Sequence, residues 1–273
     1  IGNGTISEGA PAIGNTEILT QYSDILNVAT TYTYKGEHAG YTVQTGPTSS
    51  DGVVQTLQTK LDNFASVLDF GATGDGVTDD TDAINRALFQ LFCRQTNTTI
   101  RRSLYFPGGT YRITNSIKVP PFAKLWGDGP DSAILEMDVS SDSSYGSYVL
   151  QTADSLQQTG VNIGSNSATA PRDIVITGMS FTSLEPIDLV LIDRAEGVSI
   201  SNCNFKGSLS SAPANASEDI AGLRFDSTAA NTCKQIEINN CKFSFLSYGL
   251  NTDENIQGVT IQNSQFNTIY QGI

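Results

Sequence analysis

Residues 173–181 read DIVITGMSF, 197–205 read GVSISNCNF, 235–243 read QIEINNCKF and 258–266 read GVTIQNSQF. The common pattern is x-[IV]-x-I-x-[GN]-[MCS]-x-F. Val198 and Ile200, Ile236 and Ile238, and Val259 and Ile261 alternate with polar residues, which is the period of a strand with one buried face. Two of the intervals between copies are nearly equal, and the long one holds an insertion within 208–220 (SLSSAPANASEDI). Recurrence at roughly 20–25 residues marks a solenoid, and about three short strands per repeat make each one a rung of a parallel β-helix. Equivalent residues then stack as ladders. Phe181, Phe205, Phe243 and Phe266 form one, and Asn202, Asn240 and Asn263 form another at a turn, where amides bond along the stack. Cys203 and Cys241 share a slot that Met179 and Ser264 also occupy, so this position is read as packing rather than metal or redox chemistry.

Working towards the N-terminus, 103–137 carries short strands with a turn signal between each: Ser103–Phe106, Thr110–Ile113, Ile117–Val119, Ala123–Trp126 and Ala133–Met137. Residues 138–170 break that rhythm and are too polar for core, so a long loop is expected there. Before the strands stands Val67–Leu91, VLDFGATGDGVTDDTDAINRALFQL. It reads as a short apolar strand (Val67, Leu68, Phe70), a turn at Gly71, Gly74 and Gly76, and then a helix. Ala83, Ile84, Ala87, Leu88 and Leu91 lie on one stripe of that helix, and Thr78 or Asp79 is placed to accept its first free N–H groups. A β-helix needs its open end covered, and this helix, about Asp80 to Phe92, is the expected lid. On that reading Asp75, Asp79, Asp80 and Asp82 shape the turn and the helix start. Their spacing is not that of a calcium loop.

Residues 1–50 are expected to be an extended arm that a partner must order, and 51–66 a neck helix and linker. In the neck, Val54, Leu57, Leu61 and Phe64 recur at helical spacing. That helix would either pack on the following domain or bundle with its copies in an oligomer. Residues 67–273 form the capped β-helix. It stops mid-repeat at Ile273, so a longer natural chain is expected.

Composition narrows the partners. A net charge of −13 argues against nucleic acid and anionic lipid, and no run is long and apolar enough for a membrane span. The four cysteines, Cys93, Cys203, Cys233 and Cys241, include no CxxC pair and are expected to be reduced. The single histidine, His38, sits between Gly36 and Gly40 and reads as a surface residue.

The motifs VLDFGATGDGVTDDTDAINRAL, LYFPGGTYRI, SIKVP and LWGDGPDSAILEM resemble the opening of the pectate-lyase-like right-handed β-helix superfamily, and the repeats extend that resemblance to residue 273. The superfamily includes lyases, polygalacturonases, glucanases and phage tailspikes, so the fold follows more firmly than the activity. A polar arm and short helix ahead of this domain is similar to phage tailspikes and tail fibres. That resemblance implies a homotrimer of the virion tail, assembled in bacterial cytoplasm. Its residues 1–60 would grip tail or baseplate proteins, and its β-helix would engage host surface glycan, as a depolymerase or as a purely structural or adhesive protein. A free polysaccharide hydrolase or lyase is the third reading.

Candidate chemistry lies in a recurring L/V-x-x-D: Val190 to Asp193, Leu223 to Asp226 and Leu250 to Asp253. Glycoside hydrolysis needs two carboxylates ~5 Å apart for retention or ~6.5–9.5 Å for inversion, and adjacent or alternate rungs supply such distances. Asp193, Asp226 and Asp253 are therefore the candidate catalytic residues. The plainer reading is that each Asp ends a strand by bonding its own turn. Asp188, Glu196 and Glu254 lie nearby, and Arg194 and Arg224 flank the ladder. A lyase would want calcium on clustered carboxylates, and no such cluster stands here. No cofactor or metal is expected, and a complete enzymatic site is not expected within 1–273.

Overall fold

The computed structural model describes residues 31–33, 47, 53–56, 64–93, 103–138, 148–154, 170–210, 219–227, 232–252 and 255–272. The chain divides into two compact units, Ile1–Asn63 and Phe64–Ile273. In the first, Thr31–Thr33 and Val54–Thr56 pair as antiparallel strands. The neck helix expected from Asp51 is thus a strand where it is described. Val53, Val54 and Thr56 are β-branched, which disfavours a helix, and three ladder positions give this stretch a pairing that local periodicity does not reveal. His38 and residues 1–30 of the expected arm lie outside the described residues.

The second unit is a parallel β-helix with three faces. The first face stacks Phe64–Ser66, Ser103–Phe106, Lys124–Gly127, Arg172–Thr177, Glu196–Ser201, Cys233–Asn239 and Ile256–Gln262. The second runs from Asp75–Asp79 through Gly109–Ile113, Ala133–Met137, Ser180–Ser183 and Asn204–Lys206 to the start of Lys242–Thr252 and Gln265–Gln271. The third stacks Ile117–Val119, Tyr148–Thr152, Asp188–Asp193, Ala221–Asp226 and the end of Lys242–Thr252. Every pairing in this unit is parallel.

Two left-handed backbone positions recur in every copy, one inside the first-face strand and one at the corner into the second face. The first residue of each nine-residue copy is left-handed: Asp173, Gly197, Gln235 and Gly258 have φ of 51°, 70°, 53° and 69°. So is the sixth: Gly178, Asn202, Asn240 and Asn263, at 70°, 52°, 54° and 51°. This explains the [GN] slot, because glycine and asparagine tolerate that region best. Between the corners, Ile176, Ile200 and Ile238 point inward and are buried. The phenylalanine ladder is a stack, with ring centroids 5.4, 4.7 and 4.9 Å apart from Phe181 to Phe266. All four cysteines are free, and Cys203, Cys233 and Cys241 are buried.

Tyr148–Thr152 is a strand, not part of a loop, and Val149 and Leu150 are fully buried. Its apolar stretch is too short to stand out between polar flanks, and it gains its place only from register with Ile117 and Val190. Residues 139–147 and 155–169 lie outside the described residues.

At the capped end, Val67–Phe70 is a 3₁₀ turn rather than a strand. The Ser66 hydroxyl accepts from Leu68 N, the Asp69 carboxylate accepts from Ser66 N, and left-handed Gly71 ends the turn. Asp75–Asp79, expected as turn and helix start, is the first strand of the second face. The helix is Thr81–Leu88, continued by a wider turn Phe89–Cys93. Ala83, Ile84, Ala87, Leu88 and Phe92 are buried in the core, as the lid requires. Asp79 Oδ1 accepts from Thr81 N at 3.0 Å, whereas the buried Asp80 carboxylate turns back to Thr73 N and Gly74 N at 2.7 and 3.0 Å. Asp79 and Asp80 thus tie the helix start and the preceding turn together, although Asp75–Asp79 forms a strand rather than the expected turn.

The lid also satisfies a sheet edge. The Asn85 side chain donates from Nδ2 to Ser116 O at 3.2 Å and accepts at Oδ1 from Lys118 N at 2.9 Å. One carboxamide therefore does for Ile117–Val119 what a neighbouring strand does for the others. Replacing Asn85 by Leu, which removes both bonds at similar size, is expected to lower unfolding free energy by about 1–3 kcal/mol in urea titration.

Candidate functional site

The third face carries two carboxylate–arginine nodes. Its alternation is simple. Val190, Leu223 and Leu250 stack inward, and Leu191, Arg224 and Asn251 stack outward in register with Gln151. Two residues beyond Arg224, Asp226 is again outward, and it pairs in register with Asp193. The two carboxylates thus share a ladder slot one strand spacing apart, ~4.8 Å between backbones. The same slot is Ala153 one rung earlier and Pro120 before that. Asp253, the third member of the expected ladder, lies outside the described residues.

Asp193 and Asp226 occupy different surroundings. Asp193 is 6% exposed, and both its oxygens are held by Arg194, at 2.6 Å from Nε and 2.7 Å from Nη2. Its backbone is pinned to the rung before, where the Thr152 hydroxyl accepts from Asp193 N and donates to Asp193 O. Burial pushes the Asp193 carboxyl above the usual carboxylate range, Arg194 pulls against that, and Asp226 adds a further upward push. Arg194 takes a left-handed backbone, φ 47°, directly after the strand end. Asp226 is half-buried, and its carboxylate makes no ion pair or hydrogen bond among the described residues. A buried carboxyl pushed above its usual range therefore stands beside a carboxylate that makes no direct ion pair among the described residues and feels the Arg194 charge only through space.

A second node lies on the same face. Asp188 is bound by the Arg224 guanidinium through Nε and, at 3.3 Å, Nη2, and its Oδ1 also accepts from Ala221 N at 2.7 Å. Arg224 reaches Asp219 at 3.0 Å, and Asn251 Nδ2 donates to Asp219 Oδ1 at 3.1 Å. Tyr148 is the register partner of Asp188, and burial followed by the Asp188 charge pushes its phenol up. The flanking arginines noted in the sequence thus serve as carboxylate clamps. Tyr148, Asp219 and Asn251 were not legible as members of the cluster. The one available signal was Leu150-Gln151-Thr152-Ala153, which fits the L/V-x-x-D frame with Ala153 in place of the aspartate. Among the described residues no three His, Cys, Asp or Glu side chains are placed to hold a metal ion, and no helix is long and apolar enough to cross a membrane.

A profile of the rhamnogalacturonase A/epimerase, pectate lyase-like family matches residues 64–273, the whole of the second unit. Over 74 residues the chain is 40% identical to a glucan 1,3-beta-glucosidase of Cochliobolus carbonum, covering 27% of this chain and 8% of that protein. Over 86 residues it is 30% identical to the pre-neck appendage protein of Bacillus phage B103, covering 32% of this chain and 9% of that one. The crystal structure of bacteriophage CBA120 tailspike protein 3 is similar in fold, with a TM-score of 0.51 at 17% identity, covering 97% of this chain and 39% of that one. The chain thus spans less than a tenth of the length of either curated relative.

Removal of Arg194 tests the electrostatics of the site. In Arg194→Ala the buried Asp193 loses its counter-charge and its folded pKa rises further above the unfolded value. The folded state then holds the proton more tightly than the unfolded chain, so stability falls as pH rises from about 4 through that raised value. A loss of about 3–5 kcal/mol is expected at pH 8, much of it relieved at pH 4 where the carboxyl is protonated, as read from urea unfolding at both pH values.

Proposed function

Because the chain belongs to the rhamnogalacturonase A/epimerase, pectate lyase-like family, we propose that it is the β-helical part of a phage tail appendage of the tailspike class, which engages host surface polysaccharide. The observation that carries this reading is the third face. There a rigid ladder presents a charged, hydrogen-bonding surface, and the Asp193–Asp226 pair sits in one slot on adjacent rungs. Rigid elements hold such groups to the tolerance that sugar recognition and hydrolysis require. The likeness to a phage pre-neck appendage protein supports the virion setting. In this reading residues 1–60 attach to tail or baseplate proteins and the mature appendage is a homotrimer on the virion, assembled in the host cytoplasm.

Hydrolysis, where the full-length protein performs it, would use this pair. The strand spacing suits the ~5–5.5 Å separation of a retaining enzyme, with Asp193 as acid and Asp226 as nucleophile. A second reading, a free glucan hydrolase, is favoured by the 40% identity to a glucan 1,3-beta-glucosidase.

The full-length protein should be incubated with capsule or O-antigen of susceptible bacteria, and separately with β-1,3-glucan. Binding to the bacterial polysaccharide is expected. New reducing ends there identify a depolymerase, and Asp193→Asn or Asp226→Asn should then slow cleavage by about 10²–10⁴-fold. Retention without cleavage identifies an adhesive appendage. Cleavage of β-1,3-glucan alone, by a protein that is monomeric in light scattering, would overturn the tail reading in favour of the second.

A further inference from the structure

A groove of about 680 Å³ lies at the corner where the first face turns into the second. A hollow of about 450 Å³ continues it over the outside of the second face, and the two share Pro130, Asn204 and Lys242. Of Lys242–Thr252 this corner uses only the start, and it includes none of the residues stacked on the third face. Neither the charged cluster nor the Asp193–Asp226 pair contributes to it.

The groove is built by the corner geometry itself. The left-handed backbone at Asn202, Asn240 and Asn263 sets one carboxamide per rung into it, a repeat of ~4.8 Å along the axis. Only half of each amide is used. Asn240 Nδ2 donates to Asn202 Oδ1 at 2.5 Å, Asn263 Nδ2 to Asn239 Oδ1 at 3.2 Å, and Asn204 Nδ2 to Asp131 Oδ1 at 3.3 Å. The amino group of Asn202 and the carbonyl oxygens of Asn204, Asn240 and Asn263 have no protein partner among the described residues. The exposed Lys242 has no ion pair there either, and adds donors to the same row.

The chemistry of the lining selects a class of ligand. Free donors (Asn202, Lys242) and free acceptors (Asn204, Asn240, Asn263) both line the groove. A sugar hydroxyl both donates and accepts, so a row of hydroxyls can satisfy such a lining throughout. The lysines of the joined groove, Lys206 and Lys242, face Asp131 and Glu136 in the same hollow, so no strong field of one sign favours a polyanion. Pro130 and Trp126, whose ring is stacked on Tyr105 at 4.3 Å, add apolar surface to the lining. The size lies within the range of ordinary ligand sites.

We propose that this corner is a binding groove for an extended uncharged oligosaccharide lying along the solenoid axis. The inference rests on the glycan-engaging reading above but places a second site away from the third face. It gives the protein a hold on the polymer that is independent of what the third face does.

An array of uncharged bacterial and fungal oligosaccharides provides the test, probed with the full-length protein, with Asn204→Ala/Lys242→Ala and with Asp226→Asn. Asn204 is half-buried and Lys242 exposed, and unchanged thermal unfolding checks that the double variant folds. Retention of at least one uncharged oligosaccharide is expected, weakened about tenfold or more in the double variant and unchanged in Asp226→Asn. Retention that depends on Asp226 but not on the groove pair overturns this inference and leaves the proposed function standing. Binding of charged capsule alone has the same meaning. Absence of any glycan binding overturns both.

Discussion

The rest of the structure depends on one constraint: each rung must hydrogen-bond in register to the rung before it, along all three faces. Parallel pairing leaves no freedom to slip, since a one-residue shift would send every inward side chain outward. The corners therefore have to recur at the same places, and the left-handed residue at the sixth position of each copy does this, with a left-handed kink at the first position repeated inside each first-face strand. Once they recur, like stacks on like. Successive rings along Phe205, Phe243 and Phe266 lie within 5 Å because their backbones are already held at strand spacing.

The same constraint places the chemistry. A slot that faces outward in one rung faces outward in all, so a substitution in any rung is displayed beside its neighbours without reshaping the fold. Pro120, Ala153, Asp193 and Asp226 show one slot passing from inert to acidic along the axis. The asparagine corner shows another slot, glycine at Gly178 and a carboxamide at Asn202, Asn240 and Asn263. A single architecture thus exposes a face of clamped carboxylates and a groove of mixed polarity at different positions around the stack, each with its own pattern of donors and acceptors. The end of the stack is where the constraint fails, because the first strand of the third face has no rung before it. There the Asn85 carboxamide supplies a donor and an acceptor in place of a strand.

What the sequence by itself determined was whatever repeats: the alternating isoleucines and valines, the phenylalanine and asparagine ladders, the amphipathic lid and the recurrent aspartates. These are legible because stacking turns a period along the chain into a contact in space. Features that occur once or twice were decided by the tertiary structure alone. Tyr148–Thr152 became a strand because register with Ile117 and Val190 buries Leu150, which no local signal shows. Val54–Thr56 became a strand because Thr31–Thr33 pairs with it, although the apolar spacing around it is helical. The clamps on Asp188 and Asp193, and the difference between a buried Asp193 and an unpaired Asp226, likewise depend on which side chains meet across rungs. Periodicity names the slot that a residue occupies, but burial and partner choice are set by neighbours distant in the chain.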